Sequence, residues 1–288
     1  MRRAALAPAK VNLFLHVGPV AADGYHPLAS LVAFADLGDR LTVTPARRLS
    51  LAVTGPFAAG LAGQADNLVL RAVRTLGHAA GTGDPPLSIM LDKQLPIAAG
   101  LGGGSADAGA ALKLVRDVLD LPFDDAALAG IARVVGADGP MCLHARSAWA
   151  TGHGERLAFA PDLPPLPALL VNPGVPSPTV AVYGAYDAGP TAMADNPAPP
   201  LDWSRATVID WLASQRNDLQ PAAVALQPAI GDALTAVAHL PGARLTRMSG
   251  SGATVFALFE TRDAADAAGR ELLLRHPDWW VRATTLGG

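Results

Sequence analysis

The sequence predicts an α+β protein. Strand patterns and amphipathic helix patterns follow one another in unequal runs, not in regular strand–helix alternation. A glycine-dense stretch, Gly100-Leu101-Gly102-Gly103-Gly104, runs straight into a helix-forming segment. A proline-rich segment, Pro161–Pro167, reads as a linker inside a chain of 288 residues, long enough for two ordinary domains. The expected division is therefore 1–160 and 161–288.

The elements are justified in order. Lys10–Val17 alternates like a strand, and Asp23-Gly24-Tyr25-His26-Pro27 is a turn. Leu28–Ala35, Leu41–Thr44 and Leu49–Val53 read as further strands. Val69, Ala72, Val73 and Leu76 fall at i, i+3, i+4 and i+7, so Asn67–Ala80 is an amphipathic helix. Leu87–Leu91 is a short strand that delivers the chain to the glycine loop. Beyond the loop, Ala108, Leu112, Val115 and Leu119 form one apolar helical stripe, ended by Pro122. Leu128, Ile131, Ala132 and Val135 form a second, ending at Gly136, with Asp138 just beyond. The stretch Ala188–Pro200, rich in Ala, Pro, Asp and Asn, reads as a mobile surface loop. Helices are expected near Ala206–Ala213 and Gln220–Leu240, then strands at Arg244–Arg247 and Ala253–Phe259 around the turn Gly250-Ser251-Gly252. A helix at Ala264–Leu274 and a strand at Trp280–Thr284 close the chain.

Composition narrows the class. Half the residues are apolar, so a sizeable core is available. The net charge of −3, with charges interspersed and no basic stripe, argues against a nucleic-acid partner. The single cysteine, Cys142, excludes an internal disulfide and suits a reducing cytoplasm. Pro8, Lys10 and Asn12 interrupt the N-terminal apolar run, and no apolar stretch approaches the roughly 20 residues that span a bilayer. The expectation is a soluble cytoplasmic protein with no membrane partner.

The glycine loop is an anion site in principle. Glycine lets the backbone approach a ligand closely, and the helix that follows offers free N–H groups and the positive end of its dipole. It is not the nucleotide loop that places Lys and Ser or Thr after the last glycine, because no lysine follows Gly104. It is a poor dinucleotide fingerprint too: Ser105 stands where Gly or Ala is wanted, and Asp124 and Asp125 sit at a helix start, not at the end of a second strand.

Pro96-x-x-x-Gly100-Leu101-Gly102-Gly103-Gly104-Ser105-x-Asp107-Ala108 resembles the phosphate loop of the GHMP kinase superfamily. Pro8-Ala9-Lys10-Val11-Asn12-Leu13 resembles its N-terminal motif, and Gly250-Ser251-Gly252-Ala253-Thr254-Val255-Phe256 its C-terminal glycine motif. Asp23-Gly24-Tyr25-His26, Gly136-Ala137-Asp138-Gly139-Pro140 and Asn217-Asp218-Leu219 are similar to the branch whose acceptor is a cytidine diphosphate conjugate. The resemblance implies two lobes: an N-terminal domain like the second domain of ribosomal protein S5, and a ferredoxin-like C-terminal domain. ATP and a small-molecule acceptor would meet in the cleft, in a monomer or homodimer.

The resemblance also implies roles. Pro96 and the backbone from Gly100 through Leu101, Gly102, Gly103 and Gly104 to Ser105 would hold the ATP phosphates. The Ser105 hydroxyl can reach a phosphate oxygen or a magnesium-bound water, and it can equally serve as a helix N-cap. Asp138 would be the general base; a lone Asp in such a turn otherwise bonds nearby backbone. Lys10 would keep Asp138 ionised and favour the developing alkoxide; an exposed strand-end lysine is its plainer reading. Asn12 points to the same strand face as Lys10 and would bond substrate. Tyr25, His26 and Tyr183 would form the cytosine pocket, with Thr179 nearby. Mg²⁺ would arrive with ATP, bound to phosphate and water; His16, His78, His144 and His153 show no metal-ligand spacing.

Four positions depart from the pattern. Ala98 replaces a usual Gly and stiffens the start of the loop, and Ala106 replaces a second Ser. Gly139 and Met141 replace bulkier neighbours of Asp138, which bears on the substrate-side wall. The alternatives are another GHMP kinase, acting on homoserine, mevalonate or a sugar, or a non-catalytic ligand-binding protein of the same fold. The Asp-Gly-Tyr-His turn with Tyr183 argues against the first; the presence of both Lys10 and Asp138 argues against the second.

Overall fold

A computed structural model of the chain describes residues 2–61, 67–159, 163–189, 191 and 193–287. The chain forms two compact units, each assembled from separate segments.

The first unit comprises Met1–Ala9, Leu37–Ile97 and Gly102–Ala145. It takes the first part of β1 (Arg3–Asn12) and the second half of β3 (Leu28–Pro45). The β3 half pairs antiparallel with β5 (Leu87–Asp92), from Arg40 opposite Asp92 to Pro45 opposite Leu87. β4 (Ser50–Thr54) runs parallel to β5 on its other edge. Leu87, Ile89 and Leu91 are buried while Met90 is exposed, the two-residue period of a strand with one covered face. Four helices pack together: α1 (Leu68–Ala79), α2 (Gly103–Leu119), α3 (Asp125–Val135) and α4 (Gly139–His144). Asn67 caps α1 by accepting the Val69 N–H at 2.9 Å, and Asp124 caps α3 through the Ala127 N–H at 2.8 Å. The stripes Val69, Ala72, Val73, Leu76 and Leu128, Ile131, Ala132, Val135 are all buried, as their spacing requires. Each fully buried Leu or Ile stabilises the unit by roughly 1.5–3 kcal/mol.

The second unit comprises Lys10–Asp36, Ala98–Leu101 and Arg146–Gly288. β8 (Leu166–Asn172) is buried at every position. It pairs antiparallel with β11 (Trp280–Leu286) on one side and β10 (Val255–Leu258) on the other, and β10 pairs with β9 (Leu245–Met248). α8 (Pro228–Ala238) packs on β8, β9 and β10, and α9 (Arg262–Arg275) on β8 and β11. Val171, Ile230, Ala257, Phe259, Leu272 and Val281 lie in the shared core. The first half of β3 pairs with β2 (His16–Val17) and β6 (Ala148–Gly152), and β6 pairs with β7 (Arg156–Phe159). The remaining helices are α5 (Thr179–Asp187), α6 (Arg205–Ala213) and α7 (Gln220–Leu226).

Several expectations change. The strand expected at Lys10–Val17 starts earlier, at Arg3, and breaks after Asn12; Leu15 instead bridges to Asn217. Leu28–Ala35 and Leu41–Thr44 are one strand, because the polar residues between them continue the extended backbone. The helix expected over Gln220–Leu240 is two helices. Pro228 has no N–H to continue α7, so the axis bends by 119° at Gln227. Among the described residues no single helix is long and apolar enough to cross a membrane. β6, β7, β8, α4 and α5 were not expected from periodicity; β8 reads as a continuous apolar run and α4 has six residues. Pro161 and Asp162, at the start of the expected linker, lie outside the described residues, as do Pro190 and Ala192 of the Ala188–Pro200 loop. The described part of that loop is irregular and tied down. Met193 O accepts from Arg216 Nη2 at 3.0 Å, Asp195 O lies 2.8 Å from His16 Nδ1, and Ala198 O accepts from Trp211 Nε1 at 2.9 Å.

Candidate active site

In the first unit, the glycine loop and the Gly136–Pro140 turn meet. Gly102 occupies the N-cap position of α2 in the left-handed conformation, with φ +61°. Ser105 therefore lies inside the first turn of α2 and does not cap it. Its Oγ donates instead to Asp138 Oδ1 at 2.6 Å. Asp138 stands at the N-cap of α4, yet its carboxylate makes no capping bond to the helix. The turn-former reading of Asp138 and the capping reading of Ser105 both give way to a side-chain pair formed across 33 residues of chain. Gly136 adjoins the pair: a Cβ there would lie in ordinary contact, 3.6 Å from Ser105 Oγ and 3.5 Å from Asp138 Oδ1.

Gly139 packs inside the unit. It is buried against α3, and a Cβ would lie 2.1 Å from the Ala132 carbonyl oxygen. Met141 is buried as well. Ala106 is buried. A cavity of about 500 Å³ opens beside it, lined by Ala110 and Lys113 of α2, Cys142 of α4, and Arg2, Arg3 and Leu6 near the N-terminus.

In the second unit, Lys10 Nζ donates to Asn12 Oδ1 at 2.9 Å, so the two share a strand face as their spacing requires. Asn12 Nδ2 donates to Ser30 Oγ at 2.8 Å, which fixes the amide with its oxygen toward the ammonium. Gly100 has φ +73°, and a Cβ there would lie 2.2 Å from the Ser249 carbonyl oxygen. Ser249 Oγ donates to Gly100 O at 2.9 Å and accepts the Asn12 N–H at 3.2 Å. The Lys10 N–H donates to Leu101 O at 2.8 Å, and Leu101 itself is buried. The start of the glycine loop is thus sewn to both the N-terminal and the C-terminal motif. Ala98, at φ +51°, holds the left-handed conformation that glycine would adopt without strain.

Asn217 Nδ2 donates to Met248 O and Gly250 O, each at 2.8 Å, and Ser177 Oγ donates to Ser251 O at 2.6 Å. Thr179 Oγ1 lies 2.9 Å from Ser251 Oγ. The rings of His26 and Tyr183 lie 4.9 Å apart, and His26 Nδ1 is 2.9 Å from Gly18 O. Burial, helped by Tyr186 and Asp187, pushes the Tyr183 phenol up to about 12, so it stays a hydrogen-bond donor. Tyr25 is 60% exposed and stacks at 5.2 Å on His153, a residue that sequence spacing did not single out.

Three buried charges carry no role in the sequence reading, although Asp107 lies within the phosphate-loop motif. Lys93 Nζ donates to Asp39 Oδ2 at 2.5 Å and to Asp107 Oδ2 at 2.7 Å. Pro96, three residues on, is buried. Residues so far apart leave no local spacing to read. Ser249 did carry a signal, since it adjoins the Gly250 motif. Among the described residues no group of three or more His, Cys, Asp or Glu is gathered as a metal site.

Residues 67–146 match the GHMP kinases N terminal domain and residues 206–277 the GHMP kinases C terminal domain. A 4-diphosphocytidyl-2-C-methyl-D-erythritol kinase of Caulobacter vibrioides (strain NA1000 / CB15N) is 50% identical over 289 residues, covering 99% of this chain and all of its own. This chain belongs to the 4-diphosphocytidyl-2-C-methyl-D-erythritol kinase family. Another member, from Methylobacterium radiotolerans, is 50% identical over 284 residues, covering 97% of each chain. A crystal structure of a 4-(cytidine 5'-diphospho)-2C-methyl-D-erythritol kinase superposes with a TM-score of 0.79 at 37% identity, over 99% of this chain and 100% of that one. The mevalonate kinase of L. major gives a TM-score of 0.68 at 15% identity, over 99% and 97%, which shows a shared fold. Two-lobed GHMP kinase architecture follows, as the three sequence motifs imply.

Proposed function

We propose that this chain transfers the γ-phosphate of ATP to the C2 hydroxyl of 4-diphosphocytidyl-2-C-methyl-D-erythritol, in the formation of isoprenoid precursors. The observation that carries the reading is Asp138. In a chain matched over its length by this kinase family, its carboxylate makes no helix cap and is held at 2.6 Å by Ser105 of the phosphate loop.

Asp138 takes the proton of the acceptor hydroxyl as that oxygen attacks the γ-phosphorus. The bond from the γ-phosphorus to the bridging oxygen breaks, and ADP leaves with its electron pair. Phosphoryl transfer of this kind asks for positioning and charge stabilisation more than covalent chemistry. Lys10, oriented by Asn12, supplies positive charge that favours the developing alkoxide. N–H groups of Gly102, Gly103, Gly104 and Ser105, at the positive end of α2, suit the ATP phosphates. Mg²⁺ would come as a companion of ATP, held by phosphate and water with the Ser105 hydroxyl in reach. The Tyr25–His26 turn and Tyr183 suit a cytosine ring, Asn12 and Thr179 the polar groups beside it, and Pro96 and Leu101 shape the donor side. In this reading residues 1–160 carry the phosphate loop, Asp138, Lys10, Asn12, Tyr25 and His26, and residues 161–288 carry Thr179 and Tyr183. The buried, reduced thiol of Cys142 suits a cytoplasmic setting.

The test is an ATP-turnover assay with 4-diphosphocytidyl-2-C-methyl-D-erythritol, homoserine and mevalonate in parallel. Turnover of the cytidine conjugate, with a new phosphomonoester signal in the ³¹P spectrum, is expected. Turnover of another acceptor and not this one would overturn the assignment.

A further inference from the structure

We propose that Lys93, Asp39 and Asp107 form a buried charge triad that positions the phosphate loop and, through its net charge, sets the loop's affinity for ATP. The inference rests on the kinase reading above.

The geometry ties four pieces of the first unit into one network. Asp39 belongs to β3, and its Oδ1 accepts the Gln94 N–H at 2.6 Å and the Leu95 N–H at 2.9 Å. Its Oδ2 accepts from Lys93 Nζ at 2.5 Å. Lys93 follows β5 directly and donates also to Asp107 Oδ2, in the second turn of α2, at 2.7 Å. One carboxylate thus holds the backbone leading into the loop, and the lysine holds the helix leading out of it. Gly103 closes the arrangement: a Cβ at this first helical residue would come 3.1 Å from Lys93 Nζ. A side chain on the first residue of α2 would therefore crowd the ammonium.

The charges do not balance. All three side chains are 4% exposed or less, with one cation facing two carboxylates. Asp107 Oδ1 is buried with no hydrogen-bond partner. A carboxylate oxygen so placed costs more when ionised than when it carries a proton. Burial, then the repulsion of Asp39, pushes the Asp107 carboxyl up to about 7 against the pull of Lys93. The charged groups acting on it are Lys93, from the end of β5, and Asp39, from β3. Among the described residues α1, α3 and α4, also packed on α2, bring no ion-pair partner to it. With Asp107 protonated the triad is neutral; with Asp107 ionised it carries −1. That negative charge lies under the first turns of α2, where it opposes the helix dipole that attracts phosphate. ATP should therefore bind more weakly as pH rises through the Asp107 titration.

Asp107→Asn tests this. Its side-chain oxygen still accepts from Lys93 and it cannot ionise. Dissociation constants for a non-hydrolysable ATP analogue are measured by calorimetry from pH 6 to pH 8.5, with no acceptor present, on wild type and variant. The analogue's own titration is common to both proteins and cancels in their ratio. The wild-type constant relative to the variant's should rise about three- to tenfold across the range. A ratio that stays flat overturns the proposal. Absence of binding to the wild type at any pH would instead overturn the kinase reading, and failure to turn over the cytidine conjugate leaves this measurement untouched.

Discussion

At the scale of single residues, what a side chain is denied matters as much as what it touches. Asp138 heads a helix and does not cap it; its oxygen is committed to Ser105. Ser105 was legible as important, but capping and phosphate binding could not be separated in sequence. The structure separates them by placing Gly102 at the cap. The glycines divide in the same way. Gly100 has φ +73°, and a Cβ there would strike the Ser249 carbonyl oxygen at 2.2 Å. Gly100→Ala is therefore expected to destabilise the protein by about 2 kcal/mol or more, from left-handed strain plus the clash. It should also raise KM for ATP more than KM for the acceptor. Urea unfolding with steady-state kinetics checks both, and an unfolding midpoint equal to wild type would show that the loop has slack it is not drawn with.

At the scale of elements, periodicity did its work wherever a stripe faces one core. α1 and α3 were readable from their apolar stripes, and the structure adds caps: Asn67, Asp124 and Thr261 each accept an N–H at the start of α1, α3 and α9. β8 was missed because a strand buried on both faces shows no alternation, and α4 because six residues hold no period. The join of β3 and β11 carries a pH signature. Asp36 accepts from Thr284 Oγ1, from the Thr285 N–H at 3.1 Å and from Arg262 Nη1 at 3.0 Å. Burial pushes its carboxyl up, but these partners together hold it below the usual carboxylate value of 3.8. A carboxyl lowered on folding adds stability that is present above 3.8 and is lost as pH falls through the lower folded value. Asp36 is half exposed, so the effect is modest. Asp36→Asn should lower the urea midpoint at pH 7, and the gap from wild type should close below pH 3.8. A gap independent of pH would assign Asp36 no electrostatic role.

At the scale of the whole molecule, the chain order hides the assembly. Each compact unit is built from three separate segments, and the chain passes from one unit to the other within β1, within β3 and inside the glycine loop. Motifs were legible because each is short and local; their supports were not. Asn217 and Ser177 hold the C-terminal glycine turn from distant segments, Ser249 beside the turn ties it to Gly100, and Lys93, Asp39 and Asp107 hold the phosphate loop from beneath. The account makes its strongest commitment at one carboxylate. Asp138→Asn keeps the shape and the bond to Ser105 but cannot take a proton, and loss of a general base costs about 10²- to 10⁴-fold. The deciding measurement is kcat of Asp138→Asn with ATP and 4-diphosphocytidyl-2-C-methyl-D-erythritol, on protein whose thermal unfolding matches wild type. A fall of about 10²-fold or more, with both KM values little changed, is the predicted result. A kcat near that of wild type would contradict the account.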